Sequence, residues 1–181
     1  MPVFLEGPGG YRLTTSFPYL VRRVGIRVGE LFDRAVASYG VDVSMYRVLA
    51  ALAEQDCQQL GQLSAMTAIE LSTLSRLIGA MAGKGLVTRR RPRGNGRIVE
   101  ISLSAKGRKL VVELMPVAVH FEEIALAGFS AGEVSRLKGQ LETACRQLEA
   151  LERELDAEAM TGKPVRRKRR SLARGSTDVT P

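Results

Sequence analysis

The sequence predicts a mainly α-helical chain carrying one small β-hairpin, and three observations lead there. Apolar residues recur at spacings of three and four through most of its 181 residues. The stretch "RIVEISL", 97 to 103, instead alternates apolar and polar, as a half-buried strand does. Just before its core stands Asn95-Gly96, two residues that both tolerate positive φ and so suit the tight turn of a hairpin.

Residues 1–16 mix Pro, Gly and Thr without a period and are predicted to form an extended lead-in. From Phe17, Leu20, Val24, Val28 and Leu31 lay an apolar stripe along a first helix, which Tyr39-Gly40 stops. Gly25 and Gly29, four apart, would admit a second helix closely. Asp42 is a good N-cap for the helix "VSMYRVLAALAEQ", with Val48, Leu49 and Leu52 facing inward. Two shorter helical patterns follow. "QLGQLSAM" places Leu60 and Leu63 together; "ELSTLSRLIGAMAGKG" does the same for Leu71, Leu74, Ile78 and Met81. That second stripe leaves Ser72, Thr73, Ser75, Arg76 and Gly79 on the opposite face, all small or able to hydrogen-bond. Gly85 is placed to end the helix in a left-handed conformation.

The hairpin strands are "LVTRR" and "RIVEISL", and Pro92 between them requires an edge or irregular segment. Ser104 then caps a long helix along which Leu110, Leu114, Val117, Phe121 and Ile124 align, with Pro116 expected to kink or loosen it. Ser130 and Glu133 form a capping box for a last helix of about 25 residues, whose Val134, Leu137, Leu141, Leu148, Leu151 and Leu155 keep nearly heptad spacing. An apolar seam that long must be buried against something. Beyond Thr161 the composition of Gly, Pro, Ser and charge predicts disorder.

Charge narrows the function. The net charge is +8, yet residues 162–181 hold seven Lys or Arg against Asp178 alone, so six of those eight charges sit in the tail. The remaining excess gathers in "RRRPRGNGR", Arg89 to Arg97, with five arginines and no acid. A turn whose charges repel one another suits a partner that is itself a dense line of negative charge, which points to nucleic acid. Enzyme chemistry finds no constellation here: His120 is the single histidine, no paired-carboxylate or Cys-His arrangement is present, and no glycine motif would cradle a phosphate. Cys57 and Cys145 lie far apart outside any C-x-x-C pattern, which argues against a disulfide framework or a metal site and for two small buried hydrophobes. No basic residue stands beside Cys57 in sequence to mark it for oxidant sensing. No apolar run approaches the roughly 18 residues of a membrane span, and the N-terminus lacks a secretory pattern, so the expected location is the cytoplasm with no membrane partner and no cofactor.

The residues carry a family resemblance as well. "IELSTLSRLIGAMAGKGLVTRRRPRGNGRIVEISLSAKGRKL" resembles the recognition helix and wing of the MarR family of bacterial transcription regulators. The family pattern is met at Ser75-Arg76, Lys84 to Val87, Arg89, Asn95 to Arg97 and Leu103 to Gly107; "MYRVLAALAE" is similar to the helix before it. The resemblance spans roughly 17 to 155. It departs once, since the acid of the family's D-x-R near the wing tip is Asn95 here, which leaves Arg97 to be positioned by the turn or an amide hydrogen bond.

The resemblance implies a winged helix-turn-helix domain plus a helical dimerisation region. Residues 17–40 would be a dimerisation helix, 41–103 the DNA-binding lobe, 104–160 further dimerisation helices and 161–181 a basic tail adding non-specific affinity. Ser72, Thr73, Ser75 and Arg76 would face the major groove, Arg97 the adjacent minor groove, and Arg89, Arg90, Arg91 and Arg93 the phosphates. The expected partners are double-stranded DNA and a second copy of the chain. A small aromatic or phenolic effector is also expected, near Tyr46, Arg47 and His120. The alternative is a winged-helix protein-interaction module without specific DNA binding.

Overall fold

The structure, a computed structural model, describes residues 12–91 and 99–161. A 3-10 turn at Leu13–Thr15 precedes α1 (Phe17–Val36), a second at Ala37–Tyr39 follows it, and then come α2 (Val43–Glu54), β1 (Gln58–Gln59), α3 (Leu60–Thr67), α4 (Leu71–Gly83), β2 (Val87–Arg90), β3 (Glu100–Leu103), α5 (Ala105–Ala125) and α6 (Ala131–Thr161). The fold is therefore mainly helical. Its sheet has three antiparallel strands in the order β1-β3-β2, with Val87 opposite Leu103 and Arg90 opposite Glu100. β1 was not expected: it is two residues long, and Gln58 pairs with Ile101.

Residues Met1–Ala127 make one compact unit and Gly128–Pro181 another. In the first, the helices close over a core of Phe32, Val36, Val48, Leu49, Leu52, Leu63, Leu74, Ile78, Met81, Ile101, Val111 and Leu114, all nearly or fully buried. The period in α2 therefore points inward as predicted, and so do Leu74, Ile78 and Met81 of α4. Two expectations change. Leu71 stands exposed at the first turn of α4, ahead of the turn that the core covers. On α1 the buried face is Gly29, Phe32 and Val36, whereas Leu20 and Val24 are exposed and Val28 and Leu31 half-buried. This helix carries two apolar faces, of which the unit's own core takes only one. Gly29 does sit against α2, its Cβ position 3.9 Å from Val43 Cγ1.

Local chemistry fixes the element ends. Asp42 accepts from the N–H of Met45 at 2.8 Å, and Asp33 of α1 accepts from the N–H of Val43 at 2.5 Å, so two carboxylates hold the positive end of α2. α4 ends in a Schellman turn: Gly85, at φ +70°, donates to Ala82 O at 2.9 Å and Leu86 to Met81 O at 2.9 Å. The predicted cap of α5 is present, Ser104 Oγ accepting from the N–H of Gly107 at 2.9 Å. α5 is continuous through Pro116.

The second unit is built on α6, which opens with the predicted capping box: Ser130 N–H donates to Glu133 at 2.8 Å and Glu133 N–H to Ser130 Oγ at 3.4 Å. The helix runs for 31 residues, longer than its apolar spacing suggested. Its Leu148, Leu151 and Leu155 are exposed. Both cysteines are exposed too, contrary to the expectation of buried hydrophobes; Cys57 stands in the loop after α2 at φ +60°, and Cys145 lies on α6 on the same side as Leu148, Leu151 and Leu155.

Candidate nucleic-acid interface

Three layers hold α4 in place. Leu74, Ile78 and Met81 anchor it in the core, α3 packs against it across a turn in which Ala68 takes φ +54°, and Ser64 Oγ donates to Ile69 O at 2.7 Å to close that turn. The opposite face, Ser72, Thr73, Ser75, Arg76 and Gly79, is exposed along its whole length. Anchoring one face therefore presents the other as a rigid row of hydroxyls ending in a guanidinium.

The first turn of α4 holds a residue that the sequence reading passed over. Glu70 is its N-cap, accepting from Ser72 N at 2.9 and 3.0 Å, from Thr73 N at 3.0 Å, and from the Ser72 hydroxyl at shorter range. These bonds, with the Ser72 hydroxyl first, pull the carboxyl down to about 2, so it is charged at any workable pH. Ser72 has thus committed its hydroxyl proton to Glu70 and meets a partner only as an acceptor. Free N–H groups at the second and third positions of a helix are a signal that a preceding carboxylate can cap them, though Glu is not among the favoured N-cap residues.

From α4 the Schellman turn leads directly into β2. Val87 is buried, and Thr88, Arg89, Arg90 and Arg91 are exposed. Arg89 faces Ile101 across the ladder and Arg90 faces Glu100, so successive arginines stand on opposite faces of the strand. Ion pairs among the described residues include Arg27 with Glu30, Arg108 with Asp56, Lys109 with Glu113 and Arg146 with Glu142; Arg76, Arg89, Arg90 and Arg91 are in none of these. Arg93, Arg97 and the Asn95-Gly96 turn lie outside the described residues.

The root of the hairpin is tied down by Asp56, 47 residues from its partner in β3. Leu103 N–H donates to Asp56 Oδ1 at 3.0 Å and Arg108 Nη2 to Oδ2 at 2.5 Å. Burial pushes this carboxyl up, but the N–H of Leu103, the Arg108 guanidinium and the N–H of Cys57 outweigh it and hold it below the ordinary value of 3.8. A carboxyl lowered in the folded state stabilises above its unfolded pKa, and that contribution fades as pH falls through the folded value. Asp56→Asn should therefore cost about 1 kcal/mol at neutral pH. It should also flatten the loss of stability below 3.8. Urea unfolding from pH 7 to pH 3 checks this, and identical pH profiles for the two proteins would contradict it.

The three residues expected near an effector are not equivalent. Tyr46 is half-buried, its ring 4.7 Å from Phe32, and burial followed by the charge of Glu54 pushes its hydroxyl pKa up. Phe121 completes that cluster at 5.9 Å from Phe32. Arg47 is exposed, and so is His120, whose ring lies 6.3 Å from that of its neighbour Phe121. No group of three or more metal-ligating side chains occurs among the described residues, and none of their helices is long and apolar enough to cross a membrane.

Comparison with known proteins agrees with this architecture. The MarR family pattern matches residues 43–99, from the start of α2 to the root of β3. The HTH-type transcriptional repressor IacR of Pseudomonas putida is 26% identical over 137 residues, 75% of this chain and 82% of that protein. Bordetella bronchiseptica BpsR, whose DNA binding is regulated by 6-hydroxynicotinic acid, superposes with a TM-score of 0.68 at 24% identity, over 77% of this chain and 98% of that one. The Mycobacterium tuberculosis regulator MosR, in complex with DNA, superposes with a TM-score of 0.64 at 24% identity, over 75% and 98%. The helix-turn-helix built by α3 and α4 and the basic hairpin beside it lie within the residues, 43–99, that match the MarR family, and the chain is similar to winged helix-turn-helix transcription regulators of that family.

Proposed function

We propose that the chain is a sequence-specific double-stranded DNA-binding regulator, a repressor acting as a homodimer in the cytoplasm. The observation that carries this is the exposed hydroxyl-and-arginine face of α4 continuing into Arg89, Arg90 and Arg91, with none of these cations in an ion pair among the described residues. A helix of this kind fits the major groove, where Thr73, Ser75 and Arg76 reach base edges, while strand arginines meet phosphates and Arg97 the minor groove. The wing arginines are in excess, which favours DNA over a protein-only partner. The MosR complex with DNA and the repressor IacR support the same reading.

The dimer rests on apolar surface that each unit leaves uncovered. On α1, Phe17, Leu20, Val21 and Val24 are exposed; on α5, Val112, Met115, Val119 and Ile124; on α6, Leu148, Leu151 and Leu155. Apolar faces of this extent mark interfaces. Charge matches as well: α1 flanks its face with Arg22, Arg23 and Arg27, α6 with Glu149, Glu152 and Asp156. Two lobes related by a two-fold axis would read half-sites about 10 bp apart in a near-palindrome. A small aromatic effector near Tyr46, Arg47 and His120 would release the DNA by favouring another lobe spacing; the 6-hydroxynicotinic acid response of BpsR supports it.

One sedimentation experiment tests the assembly. At micromolar concentration the full chain should sediment as a dimer, and a labelled duplex from its own upstream intergenic region should gain the mass of two protomers. A monomer at all concentrations, or a duplex whose sedimentation the protein leaves unchanged, would refute the proposal.

A further inference from the structure

The first unit holds a cavity of about 350 Å³ that shares no residue with the surface assigned to DNA, nor with Tyr46, Arg47 and His120. It lies where the turn after α1, the end of α4 and the start of α5 meet, and its volume suits a small molecule. Lys84, Lys106 and Lys109 line it against a single acid, Glu113, so three positive charges face one negative and the net is +2. Lys109 Nζ stands 3.9 Å from Glu113, a loose pairing. The other two ammoniums bond to neutral carbonyls: Lys84 Nζ donates to Gly40 O at 3.0 Å and Lys106 Nζ to Lys84 O at 3.0 Å. Val41, Leu110 and Tyr39 supply the apolar part of the wall.

Like charges gathered around one hollow repel one another, and neutral carbonyls offset only part of that cost. An anion offsets the rest. A carboxylate brings one charge and two oxygens, whereas a phosphate monoester brings about 1.5 to 2 negative charges near pH 7 and three terminal oxygens. The phosphate is the better match to three ammoniums and a net charge of +2. An ammonium also bonds more strongly to a charged oxygen than to a neutral carbonyl, so a phosphate in the cavity draws Lys84 away from Gly40 O. That bond ties the C-cap of α4 to the turn after α1, and losing it loosens the seat of α4.

We infer that this cavity binds a small phosphate monoester, whose terminal oxygens accept from Lys84, Lys106 and Lys109 while its organic group lies against Tyr39, Val41 and Leu110. Occupancy exchanges the tether between Lys84 and Gly40 for a bond to the ligand and lowers the affinity for DNA. The binding site stands independently of the DNA-binding reading above; the effect on affinity rests on it.

The test is isothermal titration calorimetry of the full chain with phenyl phosphate, at low ionic strength in a buffer free of phosphate. Binding should saturate at one site per chain with a Kd below about 1 mM. Benzoate and inorganic phosphate should bind more weakly by about tenfold, the first for want of charge and the second for want of an apolar body, and neutral benzyl alcohol should give no binding heat. Replacing Lys106 and Lys109, both exposed, by glutamine should weaken phenyl phosphate binding by about tenfold or more without changing urea unfolding. Replacing Arg89, Arg90 and Arg91 by alanine should leave it unchanged. No saturable heat with the wild type, or a loss in the arginine variant instead of the lysine variant, would overturn the site. Saturating phenyl phosphate should then lower the affinity of the wild type for a duplex from its upstream intergenic region several-fold, and leave that of the lysine variant unchanged. Phenyl phosphate binding with no change in DNA affinity would overturn the coupling alone; phenyl phosphate binding by a chain that binds no duplex would overturn the DNA-binding reading and leave the site standing.

Discussion

Gly107→Ala should destabilise the protein by about 3 kcal/mol or more, although in most helix interiors the same change is favourable by up to about 1 kcal/mol. The difference is steric. A Cβ at 107 would lie 2.1 Å from Leu86 O, 3.1 Å from Leu86 C and 3.3 Å from Leu103 Cδ2. The first two are backbone atoms and cannot turn aside. Moving the Leu86 carbonyl would also break two bonds that join β2 to α5, since it accepts from Ser104 N at 3.1 Å and Ser104 Oγ at 3.0 Å. Overpacking against backbone therefore outweighs the gain in helix propensity. Gly79→Ala is the control, because nothing lies within 4 Å of its Cβ position on the exposed face of α4, and it should be neutral or stabilising. Urea unfolding with an unchanged m-value decides the matter; a Gly107→Ala protein as stable as the wild type would mean that α5 does not pack on Leu86 this closely.

Replacing Arg89, Arg90 and Arg91 together by alanine should leave folding nearly untouched and weaken DNA binding severely. All three are exposed, and none is in an ion pair among the described residues, so little structure depends on them. Each arginine that neutralises a phosphate releases counterions, and the salt slope of log K steepens by about 0.9 per phosphate. With all three engaged, the variant's slope should be shallower by roughly 2 to 3 and its affinity at 0.1 M salt lower by tenfold or more.

Much of this fold is legible in the sequence because its signals are local. The spacing of Val48, Leu49 and Leu52, the Gly85 stop, the Ser104 cap and the Ser130–Glu133 box each depend on residues within one or two turns, and the structure has all of them. What sequence could not show depends on pairs far apart. β1 has no period in two residues and exists through its pairing with Ile101; Asp56 reaches Leu103 and Arg108 across the sheet. On α1 the apolar stripe was visible, but periodicity does not say which of two apolar faces meets the chain's own core, and Phe32 with Val36 took that place instead of Leu20 and Val24. The recognition-helix residues were legible as a polar face, whereas the role of Glu70 required the geometry of its hydrogen bonds. The wing-tip residues Arg93 and Arg97, and the basic tail, lie outside the described residues.

The most direct measurement is the salt dependence of affinity for a duplex from the upstream intergenic region, by fluorescence anisotropy between about 50 and 300 mM salt, for the wild type and the triple arginine variant. A steep wild-type slope that becomes shallower by about 0.9 for each arginine contact removed is the predicted result. A flat slope, or one that the three substitutions leave unchanged, would contradict the claim that β2 and its arginines lie on the phosphates of DNA.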